Sequence, residues 1–414
     1  MVTGASSPAV PPVPTESSPL KSQVPRLISV DVLRGLAMVI MALDHTREFM
    51  SNSSFHPEDL AHTNGALFFT RFITHFVAPV FCFLAGTGAF LATTRGKSLK
   101  QVSWFFFTRG LWLVVLELTI VDFAWGFVPW AFAGVIWVLG WSMVLMAVIV
   151  RLPVGWIAGF GLGMIATHGL LDRVNPASLG RLSWFWQMLH TPGRIAITSH
   201  SSFLVIYTLI PWVGVMAVGF AFGKLLLRSD RRKWILAIGI CATTLFFLLR
   251  GLNLYGNGVA GLPFGYLRST GPWRLQPTVS LTVISFFNTL KYPPSLDYLL
   301  MTLGTSLILL ALLDGVKAED RLGRILLVYG RVPLFYYVLH LYLIHIMAIL
   351  VALASHQPVW HGPIVAAPTP LGYGHSLPLV YAMWILVVVM LYLPCRWFMQ
   401  VKARHRDWAW LSYV

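Results

Sequence analysis

Charge is scarce in this 414-residue chain: Asp, Glu, Lys and Arg make up 11% against 57% hydrophobic residues, where soluble domains carry about 25% charged residues. That scarcity excludes a water-soluble globular protein, and no stretch is polar enough to form a separate soluble domain. Cysteine is rarer still. Cys82, Cys241 and Cys395 stand far apart in or beside apolar runs, which argues against a disulfide framework or a C-x-x-C metal site and leaves them as packing residues. Acidic side chains number 15 against 30 basic ones, a formal charge of +15. The basic residues form short clusters between apolar runs, so the imbalance reports membrane topology and not a nucleic-acid footprint. Residues 1–25 are rich in Pro and Ser and lack the apolar stretch of a signal peptide; they read as a disordered cytoplasmic tail.

What is present is a series of long apolar runs. A hydrocarbon layer of about 30 Å needs roughly 20 helical residues, and ten segments meet that test: 27–49, 66–92, 103–122, 131–151, 153–171, 203–228, 233–253, 296–315, 325–353 and 376–399. A shorter run, 277–290, reads as an eleventh half-helix or a re-entrant piece. The fold class is therefore all-α, a polytopic membrane bundle forming one integral domain over 26–414. Lys and Arg collect in short cytoplasmic segments, and their distribution puts both termini in the cytoplasm of a cell whose inner membrane holds the chain.

Ionisable groups inside spans are costly, roughly 2.5–3.5 kcal/mol each, and point to function in a bundle interior or wet cavity. The first span, "RGLAMVIMALDH", carries Arg34 and His45 eleven residues apart; at ~3.6 residues per turn they share a face about 16 Å apart. Asp31 can pair with Arg34, and Asp44 precedes His45, offering a carboxylate beside a base near neutral pH. The second span adds Arg71 and His75, the third Glu117 and Asp122, the ninth Tyr336, Tyr337, His340 and His345. Lys291, Tyr292 and Asp297 come from the edge of the eighth. Five segments thus deliver ionisable side chains to the outer half of the bilayer, which predicts a polar cavity there. The glycine pairs Gly86/Gly88 and Gly161/Gly163 read as close helix contacts.

"RLISVDVLRGLAMVIMALDH", "RFITHFVAPVFCFLAGTGAFL", "KYPPSLDYLLMTLG", "GRVPLFYYVLHLYLIH" and the closing "LYLPCRWFMQVKARHRDWAWLSYV" resemble the bacterial relatives of the heparan-alpha-glucosaminide N-acetyltransferase catalytic family over nearly the whole chain. The spacing from Arg34 to His45 also resembles the signature of acyltransferase family 3. The resemblance implies an enzyme that takes acetyl or another acyl group from cytoplasmic acyl-CoA to a glycan or lipid-linked sugar outside, with no metal and no nucleic-acid partner; a homo-oligomer stays open. It implies His45, helped by Asp44, as base or acyl-carrying nucleophile, and Arg71 and His75 as stabilisers of the oxyanion. Arg34, Arg95, Lys97 and Lys100 would attract CoA phosphates, and Lys291, Tyr292, Tyr336, His340 and His345 would line the acceptor site. One departure stands out. In the lysosomal animal member the catalytic histidine lies in the loop after the first helix and an asparagine matches His45; here that loop, "SNSSFHPEDLAHTNG", offers His56 and His62, the latter as a reserve catalyst. A transporter or flippase using the same buried charges is the alternative, and inverted repeats or broken helices would favour it.

Overall fold

A computed structural model describes residues 27–128, 131–199, 201–258, 271–360, 370–405 and 407–414; the expected tail, 1–25, lies outside them. The chain is mostly helical. The first half runs α1 (Ile28–Met50), α2 (Gly65–Phe72), α3 (Val77–Thr94), α4 (Leu99–Leu116), α5 (Asp122–Gly126), α6 (Val135–Ile149), α7 (Val154–Thr167), α8 (Ser183–Leu189) and α9 (Trp212–Leu225). The second half runs α10 (Arg231–Leu252), α11 (Val279–Phe287), α12 (Leu296–Leu313), α13 (Arg321–Arg331), α14 (Pro333–Ala354) and α15 (Leu377–Arg404). A small sheet qualifies the all-α expectation: β1 (Phe132–Ala133) lies parallel to β3 (Ser202–Val205), which pairs antiparallel with β2 (Gly193–Ala196).

Among the described residues, seven helical stretches are long and apolar enough to cross a membrane: 65–94, 99–126, 154–173, 231–252, 296–313, 333–354 and 377–404. The other three expected spans differ for identifiable reasons. The 203–228 run opens as β3 and a turn, leaving α9 with 14 residues, and 131–151 opens as β1, leaving α6 with 15. Helix α1 has the length but carries Asp31, Arg34, Asp44, Arg47 and Glu48. It tolerates them because it sits at the centre, packed on α3, α12, α13, α14 and α15, with most of its residues buried against protein.

Prolines decide where the long runs break. Pro79 has no N–H to offer the carbonyl four residues back, so the carbonyl of His75 accepts from the Tyr298 hydroxyl at 2.7 Å instead. The chain there tightens into a 3₁₀ turn, Ile73–Phe76, between α2 and α3. The expected 325–353 span is likewise two helices: Val332, preceding Pro333, leaves the helical region with φ −132° and ψ 49°, as residues before proline do. Glycines let helices touch backbone to backbone. A Cβ on Gly35 of α1 would collide with the Leu326 carbonyl of α13, and one on Gly86 of α3 with the Met216 carbonyl of α9. Gly88 and Gly163, by contrast, have nothing within 4 Å of such a Cβ, so only one glycine of each expected pair makes the close contact.

Candidate functional site

A cavity of about 620 Å³ runs beside α1. Arg34, Arg95, Lys97, Arg109, Arg331 and Lys402 border it together with Asp31 and Val414, while Asp44, His45, Thr74, Tyr207 and Lys291 border it further along α1. Its wall between these groups is apolar, with Met38, Met41, Phe81 and Leu139 among the residues. The eleven residues from Arg34 to His45 set the separation of the two polar regions at roughly 16 Å.

Asp44 and His45, adjacent on α1, point about 100° apart and belong to two different networks. Asp44 accepts from Arg71 at 2.6 Å and from Arg47 at 3.0 Å. Arg71 also donates to Glu58 at 3.1 Å and Thr74 at 3.2 Å; Glu58 in turn meets His75 at 3.3 Å and His56 at 2.9 Å. Burial pushes the Glu58 carboxyl up, but the Arg71 guanidinium and the hydrogen bonds from His56 and His75 outweigh it and hold it well below the usual carboxylate range. The guanidinium of Arg71 is thus enclosed by two carboxylates.

His45 turns toward α14. Its Nδ1 lies 2.7 Å from Nε2 of His340, the two rings lie edge to edge in nearly one plane with centres 4.9 Å apart, and Nδ1 of His340 lies 2.9 Å from the Tyr336 carbonyl. A carbonyl only accepts, so His340 carries its hydrogen on Nδ1; in the neutral ring its Nε2 is then an acceptor, and His45 must donate from Nδ1. This relay leaves Nε2 of His45 with its lone pair. Trp125 meets the same ring edge-on at 5.0 Å.

The expected residues divide accordingly. His45, Asp44, Arg34, Arg95, Lys97 and Lys291 border the cavity. Arg71 and His75 lie behind Asp44, and His340 and Tyr336 behind His45. Tyr292 stacks edge-on against Tyr207 at 5.1 Å. Lys100 is exposed and away from the cavity wall. His345 is a packing residue, stacked on Phe127 at 4.2 Å with Nδ1 2.8 Å from the Ala124 carbonyl. Of the reserve histidines, His62 is mostly exposed and paired with Asp59 at 2.8 Å, and His56 pairs with Glu58; neither reaches the cavity. Sequence reading missed Arg109, Arg331 and Lys402. Arg109 had a signal, since it stands alone within an apolar run; Glu58 had none, being one acid in a polar loop. Among the described residues no group of three His, Cys, Asp or Glu side chains could hold a metal ion.

The family model described as heparan-alpha-glucosaminide N-acetyltransferase, catalytic, matches residues 26–256. That segment carries α1 through α10 and with them Asp44, His45, Glu58 and Arg71. No curated protein matches the chain.

Proposed function

Because the chain belongs to the heparan-alpha-glucosaminide N-acetyltransferase catalytic family, a family of membrane acetyltransferases, we propose that it moves an acyl group from cytoplasmic acyl-CoA to a sugar amine or hydroxyl on the external side. The acceptor is a glycan or lipid-linked sugar. In this reading ten helices cross the inner membrane, both termini are cytoplasmic, and the cavity end rich in Arg and Lys faces the cytoplasm. Arg34, Arg95, Lys97, Arg109, Arg331 and Lys402 receive the CoA phosphates, where charge-assisted hydrogen bonds are strongest. The flexible arm of the donor then follows the apolar wall to His45.

At His45 the acceptor nitrogen or oxygen attacks the thioester carbon as Nε2 takes its proton. A C–N or C–O bond forms while the carbonyl π pair moves onto oxygen; its return breaks the C–S bond, and the CoA thiolate recovers the proton from His45. Acyl-CoA and acceptor give acylated acceptor and CoA thiol, in balance. His340 and Tyr336 act through His45, fixing its tautomer. Arg71, His75 and Glu58 hold Asp44 in place and do not meet the substrate. The observation that supports this reading above the others is the Nε2 of His45, left without a partner among the described residues on a ring that borders the cavity.

The broken 65–94 stretch is the feature a transporter would share. Its freed carbonyl, at His75, is taken by Tyr298 within the protein and offers no ligand to a cargo. Inverted membrane vesicles, whose cytoplasmic face is outward, test the proposal. With labelled acetyl-CoA outside and glucosamine trapped inside, label is expected on the trapped glucosamine; label confined to glucosamine added outside would reverse the proposed sidedness.

A further inference from the structure

Lys291 is 7% exposed and borders the cavity with His45 and Asp44. Its ammonium lies 5.2 Å from the centre of the Tyr292 ring, and among the described residues it makes no hydrogen bond or close ion pair; the carboxylate whose charge it feels, Asp44, is held by Arg71 and Arg47. Among the described residues, the arginines that meet Asp44 are paired. Arg71 holds Asp44 and Glu58, and Arg47 holds Asp44 and Glu48. A buried ammonium is expensive unless something anionic meets it. Here a direct partner has room in the cavity that Lys291 borders.

Lys291 is also mounted rigidly. It sits in a turn closed by a bridge to Pro294 and by the Ser295 N–H donating to the Leu290 carbonyl at 2.9 Å. Asn288, three residues before it, donates to the Glu58 carbonyl at 2.8 Å and accepts at its own carbonyl from the fully buried Arg250 at 2.9 Å. A cation carried on a held backbone, in a low-dielectric site, can stabilise charge that appears only in the transition state.

We infer that Lys291 is a catalytic residue, donating to the carbonyl oxygen of the thioester as negative charge builds there during attack at His45. The inference rests on the acyl-transfer reading above, and it moves to Lys291 the oxyanion role that the sequence suggested for Arg71 and His75. Arg71 cannot fill that role, since its guanidinium is already shared by two carboxylates behind the wall. The charge moves in a closed cycle: the π pair goes to oxygen, where the ammonium meets it, and returns when the C–S bond breaks, so Lys291 keeps its proton throughout.

The test measures initial rates of label transfer from acetyl-CoA, with glucosamine and with cell-envelope extract as acceptors, for the wild-type protein, Lys291→Met and Lys291→Arg. Removing one such donor lowers kcat by about 10²–10³-fold. The expected result is a loss of that size in Lys291→Met with KM for acetyl-CoA and for acceptor within threefold of wild type, and at least tenfold recovery in Lys291→Arg, which keeps the charge. Three results would overturn the inference alone: turnover within threefold of wild type in Lys291→Met, equal losses in both variants as from misfolding, or a raised acceptor KM with kcat intact. A wild-type protein that transfers label to neither acceptor overturns the acyl-transfer reading itself, and the inference falls with it.

Discussion

A histidine serves as a base only when its hydrogen sits on the nitrogen turned away from the substrate. In this protein the Tyr336 carbonyl sets the tautomer of His340, and His340 sets that of His45. Replacing His340 by Phe keeps an aromatic ring in its place but removes the acceptor for Nδ1–H, so His45 loses its orientation. General-base catalysis contributes about 10²–10⁴-fold, and His340→Phe is expected to cost a large part of that in kcat with KM for acetyl-CoA unchanged, as stopped-time transfer assays would show. A shifted pH–rate profile would mark the loss as one of positioning and not of folding. Both histidines are visible in the sequence as polar groups in apolar runs. Their pairing is not, because a 3.6-residue period fixes the direction of a side chain on its own helix and says nothing about which face a helix 295 residues away will present. Asp44 shows the converse: the 100° step between neighbours was legible and meant that it need not touch His45, but its actual partner, Arg71, was not.

At the scale of elements, breaks in helices carry as much of the site as the helices do. The carbonyl freed by Pro79 is taken by Tyr298, which ties the turn bearing Thr74 and His75 to α12. Tyr298→Phe removes the donor and leaves a buried carbonyl unsatisfied, a loss of about 1–3 kcal/mol. A lowered thermal midpoint in detergent is the expected outcome; an unchanged midpoint would show that the carbonyl finds another partner. Pro79 and Pro333 were both present in the sequence, inside segments that hydropathy alone reads as continuous spans. Hydropathy averages over a window, so it locates 65–94 and 333–354 well and blurs the break at 332, and it merges the strand at 202–205 with α9. Gly86 was legible as a close contact and Gly88 was not separable from it, since the two differ only in which face of α3 meets α9.

For the whole molecule, the placement of positive charge around one cavity joins the two regions of chemistry. Arg95 borders it and Lys100, five residues on, does not, although the sequence groups them in one basic cluster. Arg95→Ala should therefore raise KM for acetyl-CoA, by about two- to thirteenfold for the loss of a typical hydrogen bond of about 0.5–1.5 kcal/mol, while Lys100→Ala should leave it unchanged. Steady-state kinetics on the two variants would check both. The membrane class and the polar groups of the first span could be read from composition and spacing; of the side chains expected in one cavity, His45, Asp44 and Lys291 border it, while Arg71, His75 and His345 do not. Which cations face inward could not, because short loops turn individual side chains in ways that no periodicity records. The account as a whole depends on His45 performing proton transfer in that cavity. The direct measurement is acyl transfer from labelled acetyl-CoA by His45→Ala beside wild type, with acetyl-CoA binding measured on the same samples: the account predicts a fall in turnover of about 10²–10⁴-fold at unchanged donor affinity, and turnover equal to wild type would contradict it.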